Sequence, residues 1–138
     1  MSEITSRSPA RPEPTSIEAQ LFVTDITAAC TYYGTLGFET IFVYGEPPFY
    51  GQVKRGVARL NLRMVCEPLF VGDVREREGL LAGSITMSSA AELKALYDEF
   101  HGAGTDFNQA LKQQSWGACD FVVRDPDGNL LHFAGPAG

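Results

Sequence analysis

Gly117-Ala-Cys-Asp-Phe-Val-Val-Arg-Asp-Pro-Asp-Gly-Asn-Leu-Leu-His-Phe133 reads as a strand, a tight turn and a second strand. In the turn, Pro126 pre-sets φ and Gly128 tolerates positive φ. The side chains of Asp125, Asp127 and Asn129 can bond the local backbone. Phe121 and Val123 alternate with Val122 and Arg124, and Leu131 and Phe133 alternate with Leu130 and His132. A period of two sends successive side chains to opposite faces. One face of the hairpin is therefore apolar, and the other carries Arg124 and His132.

Upstream of the hairpin, 110–114 is a weak strand. Ser88 or Ser89 caps a helix over about 90–103 whose buried stripe is Leu93, Leu96, Tyr97 and Phe100. Before it, 81–88 is a strand with Ile85 and Met87 toward a core and Ser84, Thr86 and Ser88 away from it. The first half has the same order of elements. In the strand 17–24, Ile17, Ala19, Leu21 and Val23 point one way. Asp25 or Thr27 then caps a helix with Ile26, Ala29, Cys30, Tyr33 and Leu36 at helical spacing, and Gly37 ends it. Strands over 38–44, 49–55 and 57–65 follow, and the last sets Leu60 and Leu62 against Arg59, Asn61 and Arg63. The charged run 66–82, with Arg75-Glu-Arg-Glu78, predicts a solvated loop. The pattern is βαβββ followed by βαβββ, in modules of about 17–65 and 82–135 within one domain, 17–138.

At 138 residues the chain can bury one real core. Its formal charge of -6 argues against a nucleic acid or an anionic membrane surface as partner. Cys30, Cys66 and Cys119 lie far apart, which suits thiols in a reducing compartment and predicts a cytoplasmic protein. No apolar run approaches a membrane span. Residues 1–16, with Pro9, Pro12 and Pro14 among polar side chains, predict a flexible tail or an arm that packs on a partner subunit.

Two stretches taken together resemble the vicinal oxygen chelate superfamily of glyoxalase I, bleomycin-resistance proteins and extradiol dioxygenases. They are Phe22-Val-Thr-Asp-Ile26, running into Tyr32-Tyr-Gly-Thr-Leu-Gly-Phe38, and Asp125-Pro-Asp-Gly-Asn129. The resemblance implies an α+β fold whose two βαβββ modules form a curved, cup-like mixed sheet. It maps the family's metal-ligand positions onto Glu18, Asn61, Ser84 and His132. Asn and Ser are poor ligands for zinc, nickel or iron. The metal-free bleomycin-resistance branch is therefore the nearer match, with no cofactor and no catalytic residue. That branch implies a homodimer that sequesters a drug or metabolite in a cleft between subunits, an antibiotic-resistance type of role. The expected ligand-binding residues are Phe22, Phe49, Tyr50, Arg59, Asn61, Arg63, Ser84, Trp116 and His132. Flat rings such as Phe49, Tyr50 and Trp116 suit planar heterocycles. Glu18 can also pair with Arg59 or Arg63. The alternative is a lyase or dioxygenase in which Glu18 and His132 hold a divalent metal with water.

Overall fold

Alternating apolar residues form the strands, and a side-chain cap starts each of the two long helices. In the computed structural model, which describes residues 11–69, 72 and 74–137, the Asp25 carboxylate accepts the Ala28 N–H and opens helix α1 (Ile26–Thr35). Ser89 accepts the Glu92 N–H and opens α3 (Ala90–Gly102). The strands are β1 (Ala19–Val23), β2 (Glu39–Tyr44), β3 (Tyr50–Arg55), β4 (Ala58–Met64), β5 (Gly83–Thr86), β6 (Phe107–Gln113), β7 (Ala118–Arg124) and β8 (Leu130–Pro136).

They build two four-stranded mixed sheets, ordered β1-β4-β3-β2 and β5-β8-β7-β6. In each, the first strand runs parallel to its neighbour and the other pairs are antiparallel. The expected pair of βαβββ modules is the observed topology. The edge strands β1 and β5 meet closely: a Cβ added at Gly83 would lie 3.1 Å from the Ala19 Cβ.

The inward strand faces and the helix stripes merge into one apolar core that spans both modules, from Leu21, Tyr33 and Leu62 to Phe100, Phe121 and Phe133. Each such fully buried side chain contributes about 1.5–3 kcal/mol of transfer free energy. Phe121 stacks on Phe133 with ring centres 5.1 Å apart, and Phe100 meets both edge-on.

Four details depart from the sequence reading. Ile17, expected inward, is 94% exposed, because β1 begins only at Ala19, opposite Leu60. The described residues of the run 66–82 are mostly exposed but not all loop, since 74–78 form a short helix, α2 (Val74–Glu78). Its Glu76 pairs with Arg124 of β7, a contact no local pattern announces. The strand β6 starts at Phe107, where the ring packs on Tyr97 and Phe121, and not at 110. Register shifts at Gln109 had masked its period of two. The expected tail falls mostly outside the described residues; 11–16 are exposed and carry no helix or strand.

Candidate functional site

The Asp125–Asn129 turn is more than a hairpin end. Asp125 Oδ1 accepts the N–H groups of Asp127 and Asn129, each at 2.9 Å, and Gly128 takes φ 87°. Asn129 reaches out of its own module to β1: Phe22 N–H donates to Oδ1 at 3.2 Å, and Nδ2 donates to the Phe22 carbonyl at 2.9 Å. Thr24 donates its N–H and its hydroxyl to Asp127 Oδ1, at 3.0 and 2.9 Å. Tyr33 of α1 donates to Asp125 Oδ2 at 2.7 Å, while Tyr32 donates to the Arg124 carbonyl. The motif thus fastens the second module to the free edge of the first. Burial pushes the Asp125 carboxyl above its ordinary value; bonds from Tyr33 and Asn129 offset part of the rise and the charge of Asp127 adds to it. Burial beside Asp125 likewise raises the Tyr33 phenol.

The sheet faces turned away from the core hold the expected site residues. In the first sheet, register sets Phe22, Arg63, Tyr50 and Tyr44 in one row across four strands. The next row is Gln20, Asn61, Gln52 and Phe42, and the Phe42 ring lies 5.9 Å from Tyr50. Gln52 joins two candidates, donating to Asn61 Oδ1 at 2.8 Å and accepting from Arg59 Nη1 at 3.1 Å. Arg63 is exposed and makes no hydrogen bond or ion pair among the described residues. Glu18 pairs with neither arginine; it accepts from Ser16 at 2.6 Å.

In the second sheet, Ser84, His132, Val122 and Gln109 form a row. Ser84 Oγ lies 2.9 Å from His132 Nδ1, and His132 Nε2 lies 2.9 Å from Asp120 Oδ2. Gln109 and Gln114 both donate to Asp120 Oδ1, at 2.7 and 2.8 Å. Burial tends to raise the Asp120 carboxyl, but the bonds from His132, Gln114 and Gln109 outweigh it and hold the group below its ordinary value. Phe49 and Trp116 lie apart from these rows, at hairpin tips of different modules. Phe49 meets Tyr44 edge-on, whereas Trp116 is 71% exposed.

Asp120, Gln52, Gln109 and Gln114 were missed from sequence. Asp120 was within reach, since it stands two residues before Val122 and so shares the His132 face. The glutamines depend on cross-strand register, which the sequence does not display.

The donor chemistry does not fit a metal at the four mapped positions. Ser84 and His132 bond each other, the second His132 nitrogen is taken by Asp120, Asn61 Oδ1 accepts from Gln52, and Glu18 accepts from Ser16. Among the described residues no three His, Cys, Asp or Glu side chains gather as a ligand set.

Paired βαβββ modules whose outer sheet faces mix polar and aromatic side chains define a class of α+β cup proteins. Residues 16–133 match the family model of the Glyoxalase/Bleomycin resistance protein/Dioxygenase superfamily, and the chain belongs to that family. Solved structures agree on the fold. A bleomycin resistance determinant encoded on the transposon Tn5 is 19% identical, with a TM-score of 0.68 over 89% of this chain and 98% of that one. A bleomycin-binding protein complexed with bleomycin is 18% identical, with a TM-score of 0.68 over 88% and 98%. A lactoylglutathione lyase from Agrobacterium tumefaciens is 17% identical, with a TM-score of 0.65 over 91% and 96%. No curated protein matches the sequence. No helix among the described residues is long and apolar enough to cross a membrane.

Proposed function

We propose that this protein binds a small drug or metabolite on the first sheet's open face, without a metal, in a cleft completed by a second copy of the chain. One observation carries the reading: Arg63 stands exposed and without a partner among the described residues, between Phe22 and Tyr50. An unpaired guanidinium between flat rings is a convergent set of groups for a planar ligand with an acceptor or anionic edge. The similar bleomycin-binding protein lends analogy only.

The dimer is supported by β2, whose six residues are all exposed, including Ile41, Phe42, Val43 and Tyr44. A strand that apolar on both faces calls for a cover. The three unpaired cysteines suit the cytoplasm.

The test is a thermal-shift screen of planar compounds on the wild type and on Arg63→Ala. A ligand at a hundredfold excess over its Kd stabilises by about 2.7 kcal/mol, which moves Tm by several degrees. Shifts in the wild type that vanish in Arg63→Ala support the site. Equal shifts in both proteins, or none for any compound, reject it.

A further inference from the structure

We propose that Ser84 is a nucleophile activated by His132, and that the groove beside it takes a small carboxylic ester. This activity goes beyond binding and does not rest on the Arg63 face.

The geometry carries the proposal. An exposed hydroxyl, an imidazole and a carboxylate stand in line at 2.9 and 2.9 Å. Such a constellation is known by its roles and distances, not by the order of its residues in the chain. The far end of this one is rigid. Asp120 is only 6% exposed, yet it collects bonds from His132, Gln109 and Gln114. An ionised carboxylate only accepts, so His132 Nε2 must carry hydrogen. In the neutral imidazole, Nδ1 is then the bare nitrogen and Ser84 donates its proton to it. The tautomer that a general base needs is imposed by Asp120 and its two amides.

The near end opens on a groove of about 260 Å³ lined by Ser84, Thr86, Arg59, Leu60, Ile85 and Leu131. Leucine and isoleucine walls suit an apolar acyl group. Arg59, steadied by Gln52, supplies a cation on the same groove for the oxyanion of a tetrahedral intermediate. A hydrogen bond serving only to join β5 to β8 would need neither the ionised carboxylate nor the groove.

In the first step Ser84 Oγ bonds to the carbonyl carbon while its proton passes to His132 Nδ1. The bond from that carbon to the leaving oxygen breaks, and the proton goes to the departing alcohol. Water then attacks the acyl-serine, again giving its proton to His132; the acid leaves, and Ser84 Oγ regains the proton. The two half-reactions balance, and the imidazole ends as it began.

The test uses 4-nitrophenyl acetate with the full-length protein, following nitrophenolate release and the mass of the intact chain. The wild type is expected to release nitrophenolate about a hundredfold faster than Ser84→Ala. It should also gain one acetyl group, which peptide mapping places on Ser84. Ser84 is exposed, so the alanine variant should melt with the wild type. Asp120→Asn keeps an acceptor for the glutamines but can donate to Nε2, moving the proton to Nδ1. The nitrogen chemical shifts of His132 should report that tautomer change, and acylation should fall with it. Equal rates in the wild type and Ser84→Ala, as from imidazole or lysine attack alone, overturn the proposal. So does acetyl found only on other residues.

Discussion

Two polar clusters in this protein share a vocabulary of carboxylate, amide and hydroxyl and use it in opposite ways. Around Asp125 the cluster is closed: Tyr33, Asp127 and Asn129 all bond to the same buried carboxylate, and Asn129 also ties up the backbone of β1. Around Asp120 the cluster is open: its amides and imidazole converge on the carboxylate, but the chain ends at an exposed serine. The closed cluster commits both Asp125 oxygens and the Asn129 amide to internal bonds and serves the fold. The open one is stiff inside and presents a reactive group outward. In a small α+β cup, a buried carboxylate alone says little about function; where its hydrogen-bond chain ends says more.

The comparison breaks most readily at Asn129. Asn129→Ala removes both bonds to Phe22 and the bond to Asp125, leaving a backbone N–H and C=O of β1 without that partner. A loss of about 3 kcal/mol is expected, with the junction between modules loosened first. Urea unfolding should show the change in midpoint, and hydrogen exchange should show early opening at 19–24. A loss under about 1 kcal/mol would mean that the turn is an ordinary hairpin end.

Tyr33→Phe should cost less, about 2 kcal/mol, the value of one bond from a buried hydroxyl to a charged group. The ring itself stays in the core, so the packing against Phe38 is unchanged. If urea unfolding finds this variant as stable as the wild type, the Tyr33–Asp125 bond adds nothing net to the fold.

The clusters also differ in how legible they were. Strict alternation exposed the strands on both sides of the Asp125–Asn129 turn, and the cap residues and apolar stripes located both long helices. The turn's real task was hidden, because its partners Tyr33 and Phe22 lie 92 and 107 residues away in sequence. The same holds for the open cluster. Ser84 and His132 could be placed on one face from period alone, but their direct bond depends on β5 lying parallel to β8 in one register. For β2, the pattern announced a strand and was silent on its exposure on both faces, which depends on its edge position in the sheet. Local chemistry is written locally; long-range register is a property of the packed whole.

The smallest expected effect concerns protons. Burial holds Asp125 above its ordinary value of about 3.9, so between that value and its folded one the native protein binds the more protons. Stability contributed by Asp125 is then full below the ordinary value and declines as pH rises through the window. Asp120 has the opposite sign: its folded value is depressed, and its contribution is present above the ordinary value and lost as pH falls through the folded one. Folding therefore shifts the two carboxyls in opposite directions, the closed cluster's upward and the open cluster's downward. Asp127→Asn retains an acceptor for Thr24 and deletes the negative neighbour of Asp125, so it should lower that group and shorten the declining stretch. Asp120→Asn should leave the declining stretch and abolish the acid-side loss. Carboxyl titration by NMR, run beside urea melts across the acid range, separates the two contributions. A titration of Asp125 that Asp127→Asn leaves unmoved would show that burial and the bonds from Tyr33 and Asn129 set it, and that the closed cluster owes nothing to its second carboxylate.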